Sequence, residues 1–297
     1  MIIIRVLLIL LIISPLNAAL PTTNLTARFD ASVTTKLFTT FSGSGVHTGT
    51  PADGDLVEVA EDMGDGSVTD IIFAADPSGV RFRSSVPLMK NSCLDFSASP
   101  LSAYTQTAGA SRVFGDLFTA SDLTVAIVFY AETIADTDAA VYDNNTLFAT
   151  SYGSDYFAVS ARDVAGAKKI RANNYDGNHD ATGDVAIAEG RTYIAIVTHT
   201  GGNLTMLVID DTGAEASSTV ASGNTGATTT QLHMGGNAAG AQFDGRIGEL
   251  VAYNAAVTGT DLTNLKDYFK DKWMTIAGGA APAPIVPRRI MPYIRGR

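Results

Sequence analysis

The chain is poor in cysteine, in histidine and in charge, and each shortage closes off a class of chemistry. Cys93 is the single cysteine among 297 residues. That excludes an intrachain disulfide and a cysteine-ligated zinc site, and the plain expectation for such a thiol is burial as a small apolar side chain. The four histidines, His47, His179, His199 and His233, show no metal-ligand spacing. Charged residues make up 17%, below the usual share of about 25%. Strand and helix signals do not alternate, and no phosphate-binding glycine loop or fixed-period repeat appears, which argues against a doubly wound fold and a solenoid. The longest apolar run, residues 1–13 with Arg5 inside it, falls short of the roughly 20 residues a membrane-spanning helix needs.

What is present is 46% hydrophobic residues, 28 glycines and many Ser, Thr, Ala and Asn. Small polar residues alternate with Val, Ile, Phe and Tyr, which suits a sheet protein with many turns. The net charge is −10 and is unevenly spread. Residues 275–297 hold Arg288, Arg289, Arg295 and Arg297 and no acid, so the remainder carries −10 − 4 = −14. An acidic body of that size repels phosphate backbones, which disfavours a nucleic-acid partner.

Strand signals recur along the middle of the chain. "LTARFDAS" predicts a strand ending near Asp30, and "CLDFSA" another from Cys93. "LTVAIVFYAET", Leu123 to Thr133, is nearly continuous in apolar character and predicts a central strand. "RTYIAIVTHTGGNLTMLVIDDTG" predicts a hairpin, with Tyr193–Thr198 and Leu204–Asp210 as its arms and "TGGN" as its turn. "GRIGELVAYN", Gly245 to Asn254, predicts a last strand supplying Ile247, Leu250 and Val251 to a core. A single helix follows, with Thr258 as its cap and Asp261 completing a capping box. Leu262, Leu265 and Phe269 share one helical face, Lys266, Lys270 and Lys272 suit the dipole of its C-terminal half, and Trp273 closes it. The helix is expected to cover an edge or end of the sheets, with Gly248 allowing close packing.

Two acidic stretches raise calcium. Residues 53–76 hold Asp53, Asp55, Glu58, Glu61, Asp62, Asp65, Asp70 and Asp76 with no Lys or Arg, and carboxylate oxygens are calcium's preferred ligands. "NNYDGNHDATGD", residues 173–184, reads as one loop. It offers Tyr175, Asp176, Asn178, His179 and Asp180 for a glycan, with Asp176, Asn178 and Asp180 spaced like the start of a calcium loop. Ala181 stands where an EF-hand requires glycine, so that motif is rejected. No cofactor is required by anything in the sequence, and Ca²⁺ is the one ion it allows for.

The two ends differ from the body. Residues 1–19 have the shape of a secretory signal: an early positive charge, an apolar core, a proline and small residues. The competing reading is a retained apolar arm, because Ile2, Ile3, Ile4 and Val6 are β-branched and suited to strand addition. Residues 275–297 have four prolines between Pro282 and Pro292 and read as an extended arm, its arginines suited to acidic partners. The expected organisation is an arm or signal over 1–23, a sandwich over 24–274 and a C-terminal arm over 275–297.

The closing motif resembles the last strand and helix of the concanavalin A-like lectin/glucanase superfamily in its laminin-G-like form. The matching positions are Gly245, Ile247, Glu249, Leu250, Tyr253, Asn254, Val257, Leu265, Tyr268, Phe269, Lys272 and Trp273, with "LDF" at 94–96 and "ARFDAS" in support. The resemblance implies an all-β, antiparallel β-sandwich (jelly roll) with one short C-terminal helix. It is specific for fold and poor for function. The paired carboxylates of glucanases with this fold, spaced Glu-x-Asp-x-x-Glu, are absent, so no enzyme activity is expected, and Glu249 reads as structural. The expected function is a structural, decoration or adhesion subunit of a virion or extracellular appendage. Ile2, Ile3, Ile4, Arg288, Arg289, Arg295 and Arg297 would hold it to protein neighbours in a homo-oligomer, capsid, tail or filament. The alternative is a secreted carbohydrate-binding module binding surface glycans, and a glycoside hydrolase ranks last.

Overall fold

A computed structural model describes residues 18–41, 47–64, 71–73, 79–86, 88–97, 122–134, 146–150, 156–164, 166–175, 180–222, 232–236 and 243–275. The early strands are β1 (Leu25–Asp30), β2 (Leu37–Phe38), β3 (Thr40–Phe41), β4 (His47–Thr48), β5 (Val59–Ala60), β6 (Ile71–Ile72), β7 (Arg81–Arg83) and β8 (Cys93–Asp95). The later ones are β9 (Leu123–Thr133), β10 (Thr146–Thr150), β11 (Tyr156–Val164), β12 (Ala167–Tyr175), β13 (Asp180–Ala186), β14 (Arg191–Thr200), β15 (Asn203–Asp210), β16 (Glu215–Ala221), β17 (Leu232–Met234) and β18 (Asp244–Tyr253). One α-helix, α1 (Gly259–Trp273), closes the described chain.

Two antiparallel sheets make the sandwich. The larger runs β16-β15-β14-β9-β18, after which β1 and β8 share the far side of β18 and β7 ends the row. The smaller runs β13-β12-β11-β10-β17. Between them lies a core that includes Phe129, Phe148, Phe157, Phe243, Ile127 and Leu250.

A second apolar layer occupies the other face of the large sheet. Ala126, Val128, Ile194, Ile196, Val251 and Tyr253 meet Leu265, Phe269 and Trp273 of the helix there. This explains why β9 reads as an unbroken apolar run. Its alternate residues serve two cores, as in any strand buried on both faces. The expectation that the helix covers an edge or an end is therefore corrected: it covers a sheet face. The predicted cap is also modified. Thr258 is the N-cap in extended backbone, but its hydroxyl makes no capping hydrogen bond.

Two further expectations shift. The hairpin turn is tighter than "TGGN": β14 runs to Thr200 and β15 starts at Asn203, leaving Gly201 and Gly202 at φ +57° and +74°. Positive φ at both turn positions is what a two-residue hairpin demands, and glycine reaches it without strain. Residues 173–184 are not one loop. Residues 173–175 end β12 and 180–184 begin β13, paired Asn173↔Thr182 and Tyr175↔Asp180, so the connection shrinks to 176–179.

Cys93 has no exposed surface, and burial pushes its thiol up to about 12. The thiolate is the reactive form, so the native protein is expected to resist a thiol reagent such as DTNB and to titrate one equivalent in urea. Prompt labelling without denaturant would contradict the buried position.

Candidate functional site

The closing motif converges on Glu249, which is fully buried. A bulge puts it there. β18 pairs Ile247 with Phe129 and Glu249 with Val128, so Gly248 is the extra residue. The bulge reverses the alternation, sending Ile247 to the inner core and Glu249 to the helix side. Gly248 is also a close-approach site. A Cβ there would lie 2.5 Å from the Trp273 ring and 2.8 Å from Met89.

Five polar groups gather around the carboxylate. Oε1 accepts from Arg28 Nε at 2.8 Å and from the Tyr268 hydroxyl at 2.9 Å. Oε2 accepts from Lys272 Nζ at 2.7 Å and Trp273 Nε1 at 2.8 Å. Asp30, also buried, accepts from Arg28 Nη2 at 2.8 Å and from Lys272. Two acids and two bases sum to zero, which is how buried charge is tolerated. Burial and the Glu249 carboxylate both push the Tyr268 hydroxyl well above the ordinary tyrosine value, so it stays a donor. The arrangement ties β1, β18 and α1 together. It leaves no lone pair aimed at solvent for proton transfer.

Several acids of the 53–76 stretch are also engaged in holding the chain. Asp53 accepts from the Ser84 backbone and hydroxyl at 2.8 and 3.0 Å. Asp55 accepts from the Ala52 amide at 2.8 Å, and Asp62 from the Arg28 and Gly64 amides at 2.8 and 3.0 Å. Glu61 pairs with Lys36 at 2.7 Å. Asp65, Asp70 and Asp76 lie outside the described residues, as do Asp176, Asn178 and His179. Among the described residues no group of three or more His, Cys, Asp or Glu side chains is placed to hold a metal ion. Ile2, Ile3, Ile4, Arg288, Arg289, Arg295 and Arg297 are likewise outside the described residues.

Asp95, Asp184 and Asp210 are held below the ordinary aspartate value. Burial works against ionisation at each and is outweighed. At Asp95 the donors are Ser97 and Arg83, at Asp184 Arg171 and Lys169, and at Asp210 Thr212 and the Ala214 amide, with Arg191. A depressed folded-state value gives stability that is present above the unfolded value of about 3.9 and lost as pH falls through the folded one. Urea midpoints are therefore expected to be flat from pH 7 to 5 and to fall steadily below about pH 4. A midpoint that rose below pH 4 would contradict these pairings.

Two surface features remain. One is the outer face of the small sheet. Phe157, Val159, Ala161, Ile170, Ala172 and Val185 face the core. The alternate positions form two register rows across the strands, Ser160–Arg171–Asp184 and Ala158–Asn173–Thr182, in which Ser160 and Asn173 are buried and Arg171 and Asp184 partly exposed. Arg171 grips Asp184 through two hydrogen bonds of 2.6 and 2.8 Å. The next register row holds Tyr156, Tyr175 and Asp180, so two of the residues predicted for a glycan site come together at the end of the β12–β13 hairpin. Arg171, Asn173 and Asp184 were not singled out: a period-2 count through "KIRANNY" places Arg171 and Asn173 on one face, and Asp184 joins them only through the pairing of β13 with β12.

The other feature is a cavity of about 210 Å³ where β13 meets β14, β15 and β16. Val185, Ile187, Tyr193 and Val208 form its apolar lining, and Arg191, Asp210 and Glu215 its polar rim. Arg191 pairs with Asp210 and Asp211, and Glu215 with Lys266 and Lys270 of the helix at 3.1 and 2.8 Å.

The class this architecture defines is an all-β, antiparallel sandwich with one helix on the outside of its larger sheet. No family model and no curated protein matches the chain. Among solved structures it is similar to Trypanosoma rangeli sialidase in complex with the inhibitor DANA, at 14% identity over 84% of this chain and 34% of that one, with a TM-score of 0.47. It is similar to Ruminococcus gnavus IT-sialidase CBM40 bound to alpha2,3 sialyllactose, at 11% identity over 56% and 91%, TM-score 0.41. Mouse laminin alpha1 domains LG4-5 match at 15% identity over 46% and 38%, TM-score 0.33. The chain spans about a third of the length of the sialidases it matches. At these values the likeness is one of β-sandwich build and no more. Among the described residues no helix is long and apolar enough to cross a membrane.

Proposed function

We propose that the chain is a non-catalytic structural or adhesion subunit of a virion or extracellular appendage, assembled through its terminal segments. The observation that carries this reading is that both ends of the described domain sit in one layer. The Pro21 carbonyl accepts from the Tyr253 hydroxyl at 3.0 Å, and Leu20 packs on the helix-side cluster that also contains Trp273 and Met274. An apolar segment and a basic one thus join the domain on the same face. The engagement of Glu249, Asp30, Asp95 and Asp184 by bases supports the non-catalytic part, since a glycosidase needs one carboxyl free as acid and another as base or nucleophile. Sedimentation velocity tests the reading. The full chain is expected to form oligomers and residues 18–275 alone to run as a monomer, whereas identical sedimentation of the two would reject it.

A second reading, a glycan-binding module with or without calcium, draws support from the Tyr175↔Asp180 register and the rows beside it. Binding on a broad glycan array is its expected signature, with a calcium-dependent rise in Tm if Asp176, Asn178 and Asp180 take an ion. A blank array rejects it.

A further inference from the structure

We propose that β16 is an acceptor edge for strand addition, and that its donor is the apolar segment 2–13 of a second copy of this chain. The inference rests on the assembly reading above and names the surface that would receive the arm.

Among the described residues β16 ends the large sheet, and its residues are exposed except for half-buried Ser218 and Val220. Its ladder with β15 is unbroken, Asn203↔Ala221 through Ile209↔Glu215. Two bonds fix which backbone groups are used. Ser222 N donates to the Gly202 carbonyl at 2.7 Å, and Asp210 N donates to the Ala214 carbonyl at 3.0 Å. In an antiparallel ladder alternate residues bond to the same neighbour. Residues 214, 216, 218, 220 and 222 therefore face β15, and Glu215, Ser217, Thr219 and Ala221 turn their N–H and C=O groups outward.

Exposed edges normally carry a device against pairing, such as lysine, proline, a bulge or a covering loop. The opposite edge has one. Residues 54–57 bond along β7, with Gly54 N to Phe82 O at 2.8 Å, Phe82 N to Asp55 O at 2.9 Å and Val57 N to Val80 O at 2.9 Å. β16, "EASSTVA", has no proline, bulge or lysine, and its only charge, Glu215, is held back by Lys266 and Lys270. Beside it, Ala216, Val185, Ile187 and Val208 line the 210 Å³ cavity. A strand added to β16 would aim alternate side chains at that cavity, which has an apolar floor suited to an aliphatic side chain.

The two arms are not equal donors. The C-terminal segment has prolines at 282, 284, 287 and 292, each without an N–H to give. Residues 2–13, "IIIRVLLILLII", have none and are rich in β-branched and apolar side chains. Their own chain joins the domain at Pro21, over β18. Helix α1 lies across that face between β18 and β16, from Tyr253 to the Lys266 and Lys270 contacts with Glu215. A path within one chain would have to go round the helix, which favours a donor in trans.

The test is made on the full chain, by sedimentation velocity and by amide hydrogen exchange read at β16. Wild type is expected to be oligomeric, with the Ser217, Thr219 and Ala221 amides exchanging about tenfold or more slowly than in a V6P/L8P arm variant. S217P/T219P removes two outward N–H groups while keeping the β15 ladder, and is expected to run as a monomer. T219K leaves the backbone intact and is expected to weaken assembly at least about tenfold by setting a charge against an apolar arm. It decides the matter if the proline variant does not fold. If V6P/L8P dissociates the oligomer and neither β16 variant does, the arm drives assembly through another surface, and this inference alone falls. If V6P/L8P leaves the oligomer intact, residues 2–13 are not the donor and the inference falls, while residues 18–275 still test the assembly reading. A monomeric wild type with slowly exchanging β16 amides means pairing within one chain and overturns the second copy.

Discussion

Glu249→Ala is expected to cost about 3–5 kcal/mol in stability, the range for removing one partner from a buried ion pair. The size follows from what stays behind. Arg28 and Lys272, mostly but not fully withdrawn from water, keep their charges with Asp30 alone to balance them, and the Trp273 N–H and Tyr268 hydroxyl lose their buried acceptor. Each orphaned donor adds a desolvation penalty. Urea unfolding at pH 7 measures the effect, with E249Q as the control. The amide keeps the shape and one acceptor oxygen, so its loss should be smaller but still large, because two cations still face a neutral group. A midpoint for E249A within experimental error of wild type would mean that water enters the site and the anchor is not closed.

Trp273→Ala is expected to be at least as damaging, about 3–5 kcal/mol for the lost ring. Trp273 has no exposed surface, seals the Gly248 bulge and gives its indole N–H to Glu249. W273F separates the two contributions. It keeps an aromatic body and loses the N–H, so its cost should fall near the 1.5–3 kcal/mol, roughly, of a hydrogen bond to a charged group. Combining W273F with E249A should cost less than the sum of the single changes, since both break the same bond. Trp273 is the only tryptophan in the chain, so its fluorescence reports this site directly. An emission shift at lower urea than the loss of sheet signal would show the helix leaving the sheet before the sandwich opens.

Much of the fold was legible because the signals were local. The hairpin, β9 and the helix from Thr258 to Trp273 could be read from period, turn chemistry and an amphipathic face. The burial of Glu249 was legible only as a lone carboxylate. Tyr268 and Lys272 lie 19 and 23 positions on, within the closing motif, but Arg28 and Asp30 arrive only through the pairing of β1 with β18, more than 200 positions apart, and no local pattern encodes that. The bulge at Gly248 hid the face on which Glu249 lies, because "RIGELVAY" counted without an extra residue puts Ile247 and Glu249 together. β16 went unread since "EASSTVA" is small and polar, and an exposed edge needs no apolar alternation. β13 was hidden for a related reason. Turn residues on both sides of Asp180 suggested a loop, while the pairing with β12 makes it a strand.

The position of β18 has a consequence for how the protein is made. It lies between β9 on one side and β1 and β8 on the other, so the early strands cannot join the large sheet until the last one exists. Asp30 and Asp244 are 214 residues apart, which a ribosome takes roughly ten seconds or longer to add. During that time β1 waits without its partner and β8 has β7 on one side only, while the β14–β15 hairpin is free to form beside β9. Assembly of the sandwich is thus tied to the end of synthesis, and a nascent chain stalled before Asp244 would present unpaired strands to whatever holds it.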